Sequence, residues 1–333
     1  MVQFRQPAVS RHRRAALQAA PTEPPQTRTG QPAMNQVTPQ RVVVMTGATA
    51  GLGAHAVQRI AAQPNTRVII GARGSGTAPR GAEVIPLDLA SLASVRAFAA
   101  AVIQELGEAR IDILVLNAGR QAVGDDQRSA DGFELTFAVN HLAHYLLARL
   151  LMPHMANYGR LVITTSDTHD PKVTPIGPKT LEPQELAHPS KSIGVRAYSS
   201  SKLCNMLTAL SFASLDEVKA RGISVVAFNP GLTGGTSLGR EASRARRVLL
   251  TVLMRTIFRV AGLFKPEYVM GTAERSGEML AEVALGTVAP PPGRIYVSLV
   301  KGDPTFPDPS ELARSRDAQD MLWRESAAMV GIA

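Results

Sequence analysis

From residue 41 onward the chain alternates two patterns. Short runs that are apolar at almost every position, such as RVVVMT at 41–46 and IDILVL at 111–116, are separated by longer stretches whose apolar residues recur every three to four positions. A run too short for a helix and apolar on successive positions is the mark of a strand buried on both faces. The pattern predicts strands at 41–46, 67–72, 83–87, 111–116, 160–165, 223–228 and 294–298, and helices at 51–62, 91–105, 133–156, 197–220 and 272–284. Repeated β-α units imply an α/β fold: a single doubly wound parallel sheet with helices on both faces. The rhythm fails over 229–271, and 232–271 is expected to form a small helical lid over a pocket. Residues 1–40 have no apolar period and read as a disordered basic tail ahead of a domain spanning 41–333.

Charge sharpens this division. The net charge is +9, and two segments account for all of it. Residues 1–40 hold five Arg against Glu23, and residues 239–268 hold six Arg and one Lys against two Glu, giving +4 and +5. The remainder is neutral, so the fold lacks the basic face that a nucleic-acid partner needs. Aromatics at 5% and a single Trp also disfavour base stacking. The tail is Arg-rich and acid-poor, as transit peptides are, but it has no secretory apolar stretch. Met34 stands just before the first strand as another possible translation start, and a cytoplasmic protein is expected. The most apolar stretch, 248–264, has 17 residues and contains Arg255 and Arg259, too short and too charged to span a bilayer. On a helix, 240–265 gathers its cations on one arc and its apolar residues on the other. That pattern suits a lid, with peripheral membrane contact as the rival. The one cysteine, Cys204, excludes an internal disulfide and a cysteine-built metal site, and it reads as a small buried hydrophobe.

The chemistry is concentrated at the predicted C-terminal ends of strands. Thr46-Gly47-Ala48-Thr49-Ala50-Gly51-Leu52-Gly53 follows the first strand and opens a helix. Glycines there allow a tight turn and close approach of a pyrophosphate, and the helix N-terminus supplies N–H donors. Further along, Asp88-Leu89 ends strand three, Asn117-Ala118-Gly119 ends strand four and Asn140 lies in the next helix. Ser166 ends strand five, Tyr198 and Lys202 stand four apart on a helix, and Pro230-Gly231 with Thr233 follows strand six.

The TGxxxGxG spacing, the Asn-Ala-Gly turn and the YxxxK pair, in this order over 41–300, resemble the short-chain dehydrogenase/reductase family. The stretches NHLAHYLL at 140–147 and SKLCNMLT at 201–208 are similar to its retinol-dehydrogenase-like and light-dependent protochlorophyllide reductase branch. The resemblance implies a Rossmann-like fold and a nicotinamide cofactor. It implies cofactor contacts from Gly47, Thr49, Gly51, Leu52, Gly53, Asp88, Leu89, Asn117, Ala118, Gly119, Pro230, Gly231 and Thr233. It further implies catalysis by Asn140, Ser166, Tyr198 and Lys202. Lys202 would also bind the ribose, and Asn140 would hold a water in a proton relay. Arg73 stands where enzymes selective for NAD place an acid, and an Arg there suits a 2′-phosphate, so NADP(H) is favoured over NAD(H).

Tyr198 and Lys202 share a helix face with Cβ atoms about 5–6 Å apart. An adjacent ammonium is expected to lower a phenol from its usual value near 10 by about 1–3. The reading is an oxidoreductase moving a hydride to or from a carbonyl or alcohol carbon of a fairly large apolar substrate, with Tyr198 as general acid/base. The rivals are C=C reduction of a tetrapyrrole, as in the protochlorophyllide branch, and a non-catalytic dinucleotide-sensing protein. His169 and Asp170 behind Ser166 lack the GxSxG of a hydrolase elbow. His141 and His144 lack a third ligand, so no metal is expected. Family members often pair through their two long helices, which implies a homo-oligomer through 133–156 and 197–220.

Overall fold

The computed structural model describes residues 40–74, 79–121, 127–191, 194–234 and 266–332. The expected tail at 1–40, apart from its last residue, lies outside them, as do the basic helix at 240–265 and most of the lid at 232–271.

Each apolar run becomes a central strand. Among the described residues ten strands form: β1 (Arg41–Thr46), β2 (Thr66–Ala72), β3 (Ala82–Pro86), β4 (Ile111–Leu116), β5 (Met155–Thr164), β6 (Ser224–Asn229), β7 (Thr233–Gly234), β8 (Gly271–Thr272), β9 (Tyr296–Val300) and β10 (Asp303–Thr305). Eight make one sheet in the order β10-β9-β6-β5-β4-β1-β2-β3, parallel except where β10 pairs with β9. The chain leaves β1 in one direction through β2 and β3, then crosses back to lay β4 on the other side of β1. The gap between the ends of β1 and β4 is therefore the point where the winding reverses, the place where such sheets bind ligands.

Burial explains why the strands are uniformly apolar. Val42 and Val44 face one core while Val43 and Met45 face a second. β4, β5 and β6 divide the same way, with Leu161 and Ile163 on one side and Val162 on the other. The first core is closed by α2 (Leu92–Leu106), α4 (Ala143–Leu151) and α6 (Val195–Ser214). The second is closed by α1 (Gly51–Ala61) and α8 (Ala273–Leu285).

Four expectations need correction. The helix expected over 133–156 is not continuous. It runs as α3 (Leu135–Phe137), a π-helical turn (Ala138–Leu142) and α4, then a 3-10 turn containing Pro153, before β5 begins at Met155. Proline cannot donate to the helical ladder, and π turns insert one residue per turn, often at functional positions. The helix expected over 197–220 breaks at Leu215, whose backbone is extended, into α6 and α7 (Asp216–Ala220). β3 and β5 end at Pro86 and Thr164, so Asp88 and Ser166 each stand two residues past a strand. The pattern also missed the C-terminal structure: the antiparallel β10, α9 (Glu311–Arg314) and α10 (Arg316–Val330). α10 lies across α6 and α4, with Trp323 edge-on to both Tyr145 and Phe212. α5 (Pro183–Ala187) lies between Ser166 and α6.

The short pair β7-β8 holds the two described ends of the 232–271 segment side by side. Among the described residues no helix is long and apolar enough to cross a membrane.

α1 and α8 pack closely at Gly277, where a Cβ would stand 2.4 Å from the Leu52 carbonyl oxygen and 2.6 Å from His55 Cβ. Gly277→Ala must force these helices apart, and overpacking of this kind costs about 1–3 kcal/mol. The expected outcome is a lower thermal midpoint and denaturant midpoint with unchanged helix content by circular dichroism.

Candidate active site

The Gly-rich turn is built by backbone proximity. Gly47 has φ +68°, and a Cβ on it would lie 2.6 Å from Ala118 Cα. At Gly53 a Cβ would lie 1.9 Å from the Gly47 carbonyl oxygen, so the first turn of α1 rests directly on the loop. Ala50, which precedes α1, offers no side-chain cap. The first-turn N–H groups of an 11-residue helix are thus left for a ligand, and the helix dipole favours an anion there.

A cleft of about 400 Å³ opens at this point. It is lined by Gly47, Thr49, Gly51, Leu52 and Gly53, by Arg73 at the end of β2, and by Asp88 and Leu89 after β3. It continues past Asn117, Ala118 and Gly119 to Tyr198, Lys202 and Pro230. Glycines floor the cleft beside the α1 N-terminus, and an exposed Arg73 flanks it. Residues Arg120, Thr164 and Thr165 also line the cleft and were not singled out from sequence. Arg120 carried a signal, being the residue after Asn-Ala-Gly.

Asn117 fastens three strand ends. Its Nδ2 donates to the Gly47 carbonyl (3.1 Å), and its Oδ1 accepts from Thr164 Oγ1 (3.2 Å). Its N–H and that of Ala118 donate to Thr46 Oγ1 at 3.0 and 3.1 Å. Asp88 makes a tight turn, its Oδ1 accepting from Ala90 N (3.0 Å). Between β2 and β3 the described residues contain no helix, as the short loop implied.

At the other end α6 presents Tyr198 and Lys202 to the cleft. Lys202 is 3% exposed, and its Nζ donates to the Thr164 carbonyl (3.2 Å) and lies 5.6 Å from the centre of the Tyr198 ring. Burial pushes the Lys202 ammonium down to about 8. Burial also pushes the Tyr198 phenol up to about 12, opposed by a hydrogen bond with Ser166. This corrects the expectation that Lys202 lowers Tyr198. Loss of solvent sets the direction, because a buried phenolate forfeits its hydration.

Asn140 is buried in the π turn, and its amide is committed to the chain. Oδ1 accepts from Arg120 N (2.8 Å), while Nδ2 donates to the Arg120 carbonyl and to Ser201 Oγ, both at 2.9 Å. A Cβ on Gly119 would sit 3.5 Å from Lys202 Nζ and 3.6 Å from Asn140 Oδ1, so these two groups flank the space that this glycine leaves empty.

Not every candidate turns to the cleft. Gly231 has φ +70° and a Cβ position 2.4 Å from the Leu299 carbonyl oxygen, so it serves the turn after β6. The Thr233 hydroxyl bonds Ser276 Oγ at 2.9 Å and the Pro230 carbonyl at 3.1 Å. His169 is buried, its Nδ1 donating to the Ser166 carbonyl (2.7 Å) and its Nε2 accepting from Ser310 N (3.3 Å), which makes it a brace and not a catalytic base. Cys204 is fully buried in the core of α6, its thiol pushed well up by desolvation. His141 bonds Ser326 Oγ on α10 (2.8 Å). Among the described residues no three His, Cys, Asp or Glu side chains come together as a metal site.

A family model described as short chain dehydrogenase matches residues 41–174. Protochlorophyllide reductase A, chloroplastic, of Hordeum vulgare is 32% identical over 94% of this chain and 86% of its own length. Among solved structures, an uncharacterised protein of Mycobacterium paratuberculosis aligns over 88% of this chain and 94% of its own, with 26% identity and a TM-score of 0.64. A short chain dehydrogenase of Burkholderia cenocepacia in complex with NADP shares the fold at 23% identity and a TM-score of 0.50, over 74% of this chain and 90% of its own. Likeness of this extent places the chain in the short-chain dehydrogenase/reductase family of oxidoreductases.

Proposed function

We propose that the protein is an NADP(H)-dependent oxidoreductase that reduces a carbonyl carbon, or oxidises the matching alcohol, on a fairly large apolar substrate. The observation that carries this reading is the presence of Tyr198 and Lys202 at one end of the same cleft whose other end is the Gly-rich turn. When bound, the nicotinamide supplies or takes the hydride. Gly47, Gly51 and Gly53 with the α1 N-terminus would hold the pyrophosphate, Arg73 the 2′-phosphate, and Lys202 the nicotinamide ribose.

Tyr198 stays protonated through the neutral range, because burial raises it. It therefore enters the reductive direction as a general acid, with its proton directed to the substrate oxygen and Ser166 sharing that oxygen by hydrogen bond. Lys202 still carries its charge at neutral pH, and its Nζ, 5.6 Å from the ring, favours the phenolate that remains after the proton has left. Lys202 and Asn140 Oδ1 face the same empty space beside Gly119, which supports a water there as the path that returns the proton.

A second reading is C=C reduction of a tetrapyrrole, supported by the likeness to relatives named protochlorophyllide reductase. Cys204 weighs against a route through its thiol, since it lies at 0% exposure in the core. Consumption of NADPH with a ketone, aldehyde and enone panel, alongside visible absorbance of pigment carried by the purified protein, separates the two. Turnover with no substrate in either assay favours a non-catalytic dinucleotide-binding protein.

Tyr198→Phe keeps the ring and removes the proton. Turnover should fall at least about a hundredfold with NADPH binding retained; near-full activity would sink the acid/base assignment. Arg73→Ala should raise KM for NADPH about ten- to hundredfold and leave NADH nearly unchanged, since a charged hydrogen bond contributes about 1.5–3 kcal/mol. A wild-type preference for NADH would show the cofactor assignment wrong. For reduction, kcat/KM for NADPH reports the free enzyme. It should be level near pH 6–7 and decline above about 8, as the depressed Lys202 loses its charge.

A further inference from the structure

His144 is 2% exposed, sits one turn after Asn140, and touches no part of the cleft directly. Its two ring nitrogens nevertheless join both halves of the site. Nδ1 is 3.0 Å from the Asn140 carbonyl oxygen, and Nε2 is 2.9 Å from Thr46 Oγ1. Both bonds have only one possible direction. A carbonyl oxygen only accepts, so the Nδ1 proton is present and donated to Asn140. The Thr46 hydroxyl already accepts N–H bonds from Asn117 and Ala118, which occupy both of its lone pairs, so its own proton points to Nε2. The imidazole is thus the neutral Nδ1–H tautomer, with every donor and acceptor in the chain used once.

We propose that His144 is a positioning residue: its ring couples the Thr46 hydroxyl, which holds the Asn117–Ala118 floor of the cofactor cleft, to the Asn140 backbone, which holds the proton-relay end. The proposal rests on the reading above, in which Lys202 and Asn140 return the proton to Tyr198.

The surroundings agree with this tautomer. Burial and the nearby Lys202 ammonium push His144 down to about 4, so the ring is neutral at neutral pH. A charged ring would offer an N–H to a hydroxyl with no lone pair left to accept it. The Asn140 carbonyl lies in the π turn. The π turn departs from the regular i→i+4 ladder, and the imidazole adds a side-chain donor to this carbonyl. The side chain of Asn140 is then free to clamp Arg120 and to face Lys202, as it does. If the ring were only core filler, an apolar side chain of similar volume would serve as well, and the Thr46 proton would be left unpaired.

Two substitutions divide the ring's functions. His144→Gln reaches the Nε2 position and can accept from Thr46, but it gives up the donor beside Asn140. His144→Asn reaches the Nδ1 position and can donate to the Asn140 carbonyl, but it leaves Thr46 without an acceptor. The measurements are the Kd for NADPH by fluorescence titration, kcat for the best substrate of the panel, and the thermal midpoint, all on the full chain. The proposal expects a split. His144→Gln should keep Kd within about twofold and lose kcat about tenfold or more; His144→Asn should weaken NADPH about tenfold with the smaller loss in kcat. Thr46→Val should reproduce the Asn variant in Kd. A common fall in thermal midpoint with kcat and Kd unchanged in folded enzyme shows a packing role only and overturns the proposal, as does an equal loss of both quantities in both variants. If neither variant folds, Thr46→Val decides alone: a Kd for NADPH equal to wild type overturns the coupling. Tyr198→Phe is measured alongside. Full turnover there removes the reading on which this inference rests, whereas an inactive Tyr198→Phe beside unaffected His144 variants removes this inference only.

Discussion

The hydroxyl of Thr46 closes the junction on which the rest of the site depends. β1 and β4 are neighbours in the sheet, yet the chain departs from their ends in unrelated directions, one into α1 and the other into the Asn-Ala-Gly turn. Two parallel strands that diverge at their C-terminal ends leave N–H groups with no ladder partner. Thr46 Oγ1 takes the N–H groups of Asn117 and Ala118. Asn117 answers with its own bond to the Gly47 carbonyl. The crevice is open because the topology reverses there, and it keeps its shape because these short bonds satisfy the backbone without filling it.

The same junction explains why glycines stand where they do. At Gly47 and Gly53 the limiting contacts are backbone atoms, so no rotamer change could make room for a Cβ. Close approach of loop, helix and turn leaves the first turn of α1 without a side-chain cap at the cleft. At the opposite end the protein accepts an electrostatic cost. Lys202 and Tyr198 are taken out of water, which moves both toward their neutral forms. In the proposed mechanism a neutral phenol, beside an ammonium still charged at neutral pH, releases its proton once a substrate oxygen develops negative charge. α6 is held in register for this by the Thr164 carbonyl, which receives bonds from both Lys202 and Asn205.

The C-terminal helix adds a further layer. Trp323 of α10 sits between Tyr145 and Phe212, and Ser326 of the same helix meets His141. α4 and α6 are thereby packed against the chain's own last helix, behind the residues that carry Asn140 and Tyr198.

The hydrophobic pattern and the motifs specify the architecture and where the candidate site residues gather. Runs apolar at successive positions have no exposed face to offer, so 41–46, 111–116 and their like had to be central strands, and TGxxxGxG, Asn-Ala-Gly and YxxxK had to fall near strand ends and on one helix. Local pattern could not register what distant groups impose. The π turn at Asn140 preserves hydrophobic periodicity on either side and leaves no trace in it. α10 carries scattered apolar residues whose partners on α4 and α6 lie more than a hundred residues away. The direction of the Tyr198 shift depends on how much water is excluded around the phenol, a quantity that exists only after packing. His144 looked like one of a pair of histidines three apart. Only the fold brings it within 2.9 Å of Thr46, 98 residues earlier, and so makes a buried ring a link between the two ends of the cleft.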